Sequence, residues 1–384
     1  MKHTTTNLSR SARVGALALV GALALGACGS DNNSGSSPAS TTTGGAGAGT
    51  SSATVSGTIN GEGSTAQKNA LDEAISDFTG QNSGAKVNYN ATGSGAGIKS
   101  FNGGQADWAG SDSALKTDPA EGASSSETAD AKKRCAGNEA WNLPLVAGPI
   151  AVAYNAPGVS TLVLTPQLVA QIFQGKITQW NDPAVANVNP GVTLPGQGIT
   201  VFFRSDESGT TENFEKYLAG AAPQDFTAKP SKKWAGTTGQ GAAKSAGVAQ
   251  GVKSTVGGIG YVEWSNAKDS GLGVAQIDNG GGAVELSAES AGKAVEAAQP
   301  AGQGNDLRLK LDYATKTAGV YPIVLVTYEV VCSKGLDSSK VPVLKSFLKY
   351  LATADTQKKL ADIGYATLPD SVLTRVNTAI DAIS

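Results

Sequence analysis

FFRSDESGTTENF, residues 202–214, changes character halfway along. GITVFFR (198–204) is apolar and β-branched and ends in Arg204, while TENFEKYLAG (211–220) carries apolar residues at helical spacing. Ser208, Gly209 and Thr210 lie between the two. A strand that feeds a helix through a small-residue turn is the unit from which α/β folds are built. The turn itself has two readings. Ser and Thr are ordinary helix N-caps. A helix N-terminus also offers unpaired N–H donors and a partial positive charge, so with Arg204 alongside it can hold an anion.

Two further turns of this kind lie upstream. GEGSTAQKNAL (61–71) sets Ser64 and Thr65 before a helix, and YNATGSGAGIKSF (89–101) sets Ser94 among glycines before a shorter one. None of the three fits the GxxxxGK[ST] phosphate loop or the full GxGxxG dinucleotide pattern, which favours a small bare oxyanion over a nucleotide. Outward from these turns, LPLVAGPIAVAYN (143–155), GGIGYVEW (257–264) and YPIVLVTYEVVC (321–332) read as strands. Residues 65–80, 165–176, 341–364 (two helices) and 369–383 read as helices. The alternation predicts α/β lobes with mainly parallel sheets. Residues 266–320 are rich in Gly, Ala and Ser and show no clear period.

The first 27 residues carry Lys2, Arg10 and Arg13 and then the apolar run VGALALVGALALGA, the pattern of an export signal. LGAC (25–28) resembles a bacterial lipobox, which makes Cys28 the expected lipidation site and the membrane the expected anchor. Residues 28–52 are dominated by Gly, Ser and Thr and predict a flexible tether. The chain carries 30 basic and 32 acidic residues; without the three basic residues of the signal the balance is 27 against 32, or −5. No basic run or aromatic-basic stripe points to nucleic acid. The one histidine, His3, lies in the signal, so the expected mature chain can build neither a Ser-His-Asp triad nor a histidine-containing zinc site. Cys135 and Cys332 remain. In an exported protein an even pair predicts one disulfide, with two buried thiols as the other reading.

Taken together and in order, TGSGAGIKSF…DWAGSDSAL (92–115), LTPQLVAQIFQGKITQWNDPAV (164–185), the 189–218 stretch, GGIGYVEW and GYATLPDSV (364–372) resemble the PstS-type phosphate-binding proteins, the capture subunits of phosphate ABC importers. The resemblance implies a two-lobed, type II periplasmic-binding-protein fold with inorganic phosphate buried between the lobes. It implies hydrogen bonds rather than a metal or cofactor, and membrane permease subunits as partners. Lobe one is expected to comprise 53–155 and 321–384, and lobe two 156–320. Carried over by motif, the ligand set is Thr65, the backbone at Ala66, Ser94, Asp112, Arg204, Ser208, Gly209 and Thr210, with Asp206 pairing the arginine. The family often has an aromatic residue where Ala66 stands and a small one where Glu207 stands; Glu207 is expected at the rim.

An aspartate beside an anion needs a reason. Phosphate near neutrality keeps at least one proton, and an ionised carboxylate only accepts hydrogen bonds. Sulfate has no proton to give and would leave Asp112 buried against like charge. Other readings are a receptor for sulfate or molybdate, an exported phosphoester hydrolase and an adhesive surface protein. Asp112 weighs against the first. The second normally needs a metal cluster or an activated nucleophile, and the third leaves the three anion-type turns without a purpose.

Overall fold

The computed structural model describes residues 55–120 and 122–384; Cys28, the expected signal and the tether lie outside them. The architecture turns on two long strands. Fourteen of the sixteen residues of Ala140–Asn155 are buried, and all nine of Val324–Cys332 are. A strand covered on both faces reads as a continuous apolar run instead of an alternating one, and WNLPLVAGPIAVAY is such a run.

In chain order the strands that matter here are β1 (Gly57–Gly63), β2 (Ala85–Ala91), β3 (Trp108–Ser111), β4 (Ala140–Asn155), β5 (Thr200–Arg204), β6 (Gln240–Ala242), β7 (Gly258–Glu263) and β8 (Val324–Cys332). They form one continuous sheet in the order β2-β1-β3-β8-β4-β7-β5-β6, with Gly273–Val274 also paired to β4. The pairs at the two ends are parallel. The middle is not: β8 runs antiparallel to β3 and β4, and β4 antiparallel to β7. The sheet is therefore mixed rather than mainly parallel, because the two long strands thread its centre in opposite directions. Residues 140–149 of β4 pair with β8, and residues 150–155 pair with β7. The change of partner falls at Pro149, which has no N–H to give to a ladder.

Each half of the sheet carries its own core. One gathers Ile59, Leu71, Phe78, Trp108, Leu143, Phe347, Leu348, Val376 and Ile380. The other gathers Ile150, Leu164, Phe173, Trp180, Phe214, Val248, Ile259, Tyr261 and Ile277. The fold is the two-lobed α/β arrangement. Helices α1 (Lys68–Gln81), α2 (Ser94–Asn102), α3 (Gly209–Ala221) and α4 (Lys244–Ser254) start near the sheet's central cleft. The C-terminal run forms α6 (Val341–Leu351) and α8 (Asp370–Asp381) around the first core, and between them α7 (Ala354–Asp362), whose Leu360 packs with Ala70, Val146 and Tyr365.

The patternless stretch contains α5 (Ala288–Glu296), fixed by a reciprocal capping box between Ser287 and Ser290, and several strands of two or three residues. Pieces that short show no readable period. The inner face of α5 (Ala291, Ala294, Val295), and Leu307 beyond it, pack into the first core. Cys135 and Cys332 form a disulfide with Cα atoms 5.3 Å apart, among Ile98, Phe101, Ala109 and Val330.

Candidate functional site

The three glycine-bearing turns converge, and only one of them acts mainly as a cap. Ser208 is the N-cap of α3: its Oγ accepts the Thr211 N–H at 3.3 Å. Ser94 begins α2, yet its hydroxyl donates to Asp112 Oδ2 at 3.0 Å and accepts the N–H groups of Asp112 (3.2 Å) and Gly209 (3.3 Å). In the first turn α1 begins three residues after Thr65, with no side-chain cap. Ser64 Oγ accepts the Ala66 N–H at 3.0 Å and donates to Asp112 Oδ1 at 2.5 Å. Thr65 Oγ1 lies 2.7 Å from Ser245 Oγ at the start of α4. Hydroxyls that could cap their own helices are instead turned toward one point between the lobes.

Around that point stand a cation and a carboxylate. Arg204, at the end of β5, is 3% exposed. Its Nε and one terminal nitrogen fork onto the two oxygens of Asp206 at 2.8 and 2.5 Å. The other terminal nitrogen donates to Thr210 Oγ1 (3.4 Å) and Ser245 Oγ (3.3 Å). Burial opposes the arginine's charge, but its bonds to Asp206 and the nearby Glu263 outweigh this and raise its pKa. Burial likewise pushes Asp206 up, and Arg204 more than compensates, holding it below the usual carboxylate range. The fork fixes the guanidinium plane, so the remaining donors have a set direction.

Asp112 is 3% exposed. Burial pushes its carboxyl up to about 6, against the lowering effect of the Ser64, Thr327 and Ser94 hydroxyls; the charge of Glu263 pushes the same way as burial. Oδ1 takes Ser64 and Thr327 (2.8 Å), and Oδ2 takes Ser94. A carboxylate has about four acceptor positions, so one remains for a ligand's proton.

Gly209 is required by this geometry. A Cβ there would meet Asp112 Cβ at 2.5 Å and Ser94 Oγ at 2.7 Å. Ala66 is buried and packs with the second lobe's core. Glu207 lies at the rim, paired with Lys99 at 2.6 Å and Lys233 at 3.6 Å.

Three buried polar residues belong to the site without having been read from the sequence, Ser245, Glu263 and Thr327, and Ser64 joins them from outside the expected ligand set. Ser64 stands in a quoted turn beside Thr65. Ser245 and Thr327 carry no local signal, one at a small-residue helix start and one inside an apolar strand. Glu263 ends the GGIGYVEW strand and accepts the Thr210 hydroxyl through Oε1; Oε2 is buried and has no hydrogen-bond partner among the described residues.

The family model for the PBP superfamily domain matches residues 48–355. The chain is 45% identical over 381 residues to phosphate-binding protein PstS 3 of Mycobacterium tuberculosis (strain ATCC 25618 / H37Rv), covering 97% of this chain and 98% of the relative. It is 43% identical over 375 residues to phosphate-binding protein PstS 3 of Mycobacterium leprae, covering 96% and 98%. The solved phosphate-binding protein of Stenotrophomonas maltophilia is similar in fold, with a TM-score of 0.62 at 19% identity over 84% of this chain and 94% of that one.

Proposed function

The chain belongs to the PstS family of phosphate-binding proteins, and we propose that it captures inorganic phosphate outside the cytoplasm and delivers it to the membrane permease subunits of an ABC importer. It acts as a binding protein, not an enzyme, and needs no cofactor. The observation that carries this reading is that one site holds both Arg204 and Asp112, each 3% exposed. Arg204 attracts an oxyanion, and Asp112 admits only one that can give it a proton. Thr65, the Ala66 N–H, Ser94, Ser208, Gly209 and Thr210 supply the further hydroxyl and backbone contacts. Binding requires the Ser94 and Thr210 hydroxyls to exchange some of their present partners for ligand oxygens.

The proposed lobe division is 53–155 with 321–384 against 156–320, amended in two places. The α5 face and Leu307 join the first core, and residues 150–155 pair with β7. Calorimetric titration of the purified protein with phosphate, arsenate and sulfate tests the function. Saturable phosphate binding with sulfate excluded supports it; equal binding of sulfate, or no phosphate binding, contradicts it.

Anchoring is proposed through a lipid on Cys28, with 28–52 as tether. No helix among the described residues is long and apolar enough to cross a membrane. Metabolic labelling with a fatty acid should mark the wild type and not Cys28→Ser.

A further inference from the structure

The loop after α5 lies in the stretch whose sequence shows no pattern, yet one of its side chains reaches the back of the site. Tyr313 OH donates to Asn213 Oδ1 at 2.5 Å. Asn213, one turn into α3, is 4% exposed, and its Nδ2 donates to the Asp112 carbonyl at 2.7 Å and to the Gly209 carbonyl at 2.8 Å. The next residue is held from the same helix: Ser113 Oγ donates to Glu212 Oε2 at 3.0 Å. The two backbone groups of Asp112 are thus fixed from opposite lobes, its N–H by Ser94 and its C=O by Asn213.

We propose that Tyr313 and Asn213 are positioning residues that aim the Asp112 carboxylate, so that lobe closure and the reading of the ligand's proton are a single event. The proposal rests on the phosphate reading above.

Three considerations carry it. First, an asparagine side chain can donate and accept at once. The Asp112 and Gly209 carbonyls can only accept, so the amide nitrogen faces them, and the Tyr313 hydroxyl donates to the oxygen left on the other side. Second, a cavity of about 520 Å³ lies directly behind, lined by Asp112, Ser113, Asn213, Lys216, Tyr313 and Tyr328 among others. The hydrogen-bonded pair lines that space beside Asp112 and ties down its carbonyl. Without it Asp112 is free to tilt toward the cavity and toward water, which weakens the penalty on a ligand that brings no proton. Third, the contact joins the lobes one helical turn from Ser208, Gly209 and Thr210, so it forms only where those donors are also in place.

The test is calorimetric titration of phosphate and sulfate into wild type, Asn213→Ala and Tyr313→Phe, read as the ratio of the two affinities. Asn213→Ala is expected to lower the phosphate-to-sulfate ratio by about tenfold, and Tyr313→Phe to shift it the same way by less. In an Asp112→Asn background neither substitution should move the ratio further, because the group they aim is gone. A uniform weakening of both anions with the ratio unchanged would overturn the proposal and leave Asn213 a closure contact only. Should Asn213→Ala not fold, Tyr313→Phe, which keeps the ring, decides alone: an unchanged ratio overturns the proposal. A wild type that binds no phosphate overturns the underlying reading instead.

Discussion

At the scale of the residue, the proton-accepting role proposed for Asp112 conflicts with stability. Its carboxyl rises from 3.8 to about 6 mainly through burial. The native state therefore holds that proton more tightly than the unfolded chain does. The stabilising share of this group is complete below about pH 4 and is lost as pH rises through about 6, a swing of about 3 kcal/mol. Ligand-free Asp112→Asn should accordingly melt higher than wild type near neutrality, and the difference should vanish near about pH 4; thermal melts at the two pH values check this. Arg204→Ala acts on a different quantity. It removes the site's hydrogen-bonded cation and leaves Asp206 unpaired, so any oxyanion should bind about 2–5 kcal/mol more weakly, as titration would show.

At the scale of the element, the site is made where helices begin and strands end. The α3 turn shows how tight the assembly is: Gly209→Ala would drive a methyl into Asp112 and Ser94. Titration should show phosphate binding weakened by roughly 1–3 kcal/mol, with the fold intact by circular dichroism. The same turn explains what the sequence makes legible. Arg204, Asp206, Ser208, Gly209 and Thr210 are neighbours in the chain, and a strand followed by a glycine turn and a helix announces them. Ser245 and Thr327 join them only through sheet order, because β8 threads antiparallel beside β3 and α4 lies across the cleft from α1. No local pattern can report an adjacency made by residues 180 apart, as Thr65 and Ser245 are. Tyr313 is harder still, since it hangs from a loop that follows a strand of only two residues, Leu309–Lys310. The antiparallel middle of the sheet escapes notice for a related reason: a doubly buried strand reads the same in either direction.

At the scale of the whole molecule, the two lobes touch across the site, through Thr65 with Ser245, Ser94 with Gly209 and Asp112 with Asn213. At the rim, Lys99 pairs with Glu207 at 2.6 Å and Lys232 with Glu127 at 2.7 Å. Lys99 is exposed and such a pair contributes little, whereas Lys232 is itself buried. Closure is expected to depend on the ligand, which makes all its bonds only when both lobes surround it. Small-angle scattering should show the protein compacting when saturated with phosphate, and no change would count against that view.

The proposed function turns on one buried aspartate that admits an anion for the proton it carries. The most direct test is the ratio of phosphate to sulfate affinity in wild type and Asp112→Asn, measured by calorimetric titration in the same buffer. Wild type should prefer phosphate by roughly 10⁴–10⁵. In Asp112→Asn sulfate should bind better than in wild type and the ratio should fall, because the amide can donate where the carboxylate could only accept. An unchanged ratio would contradict the account.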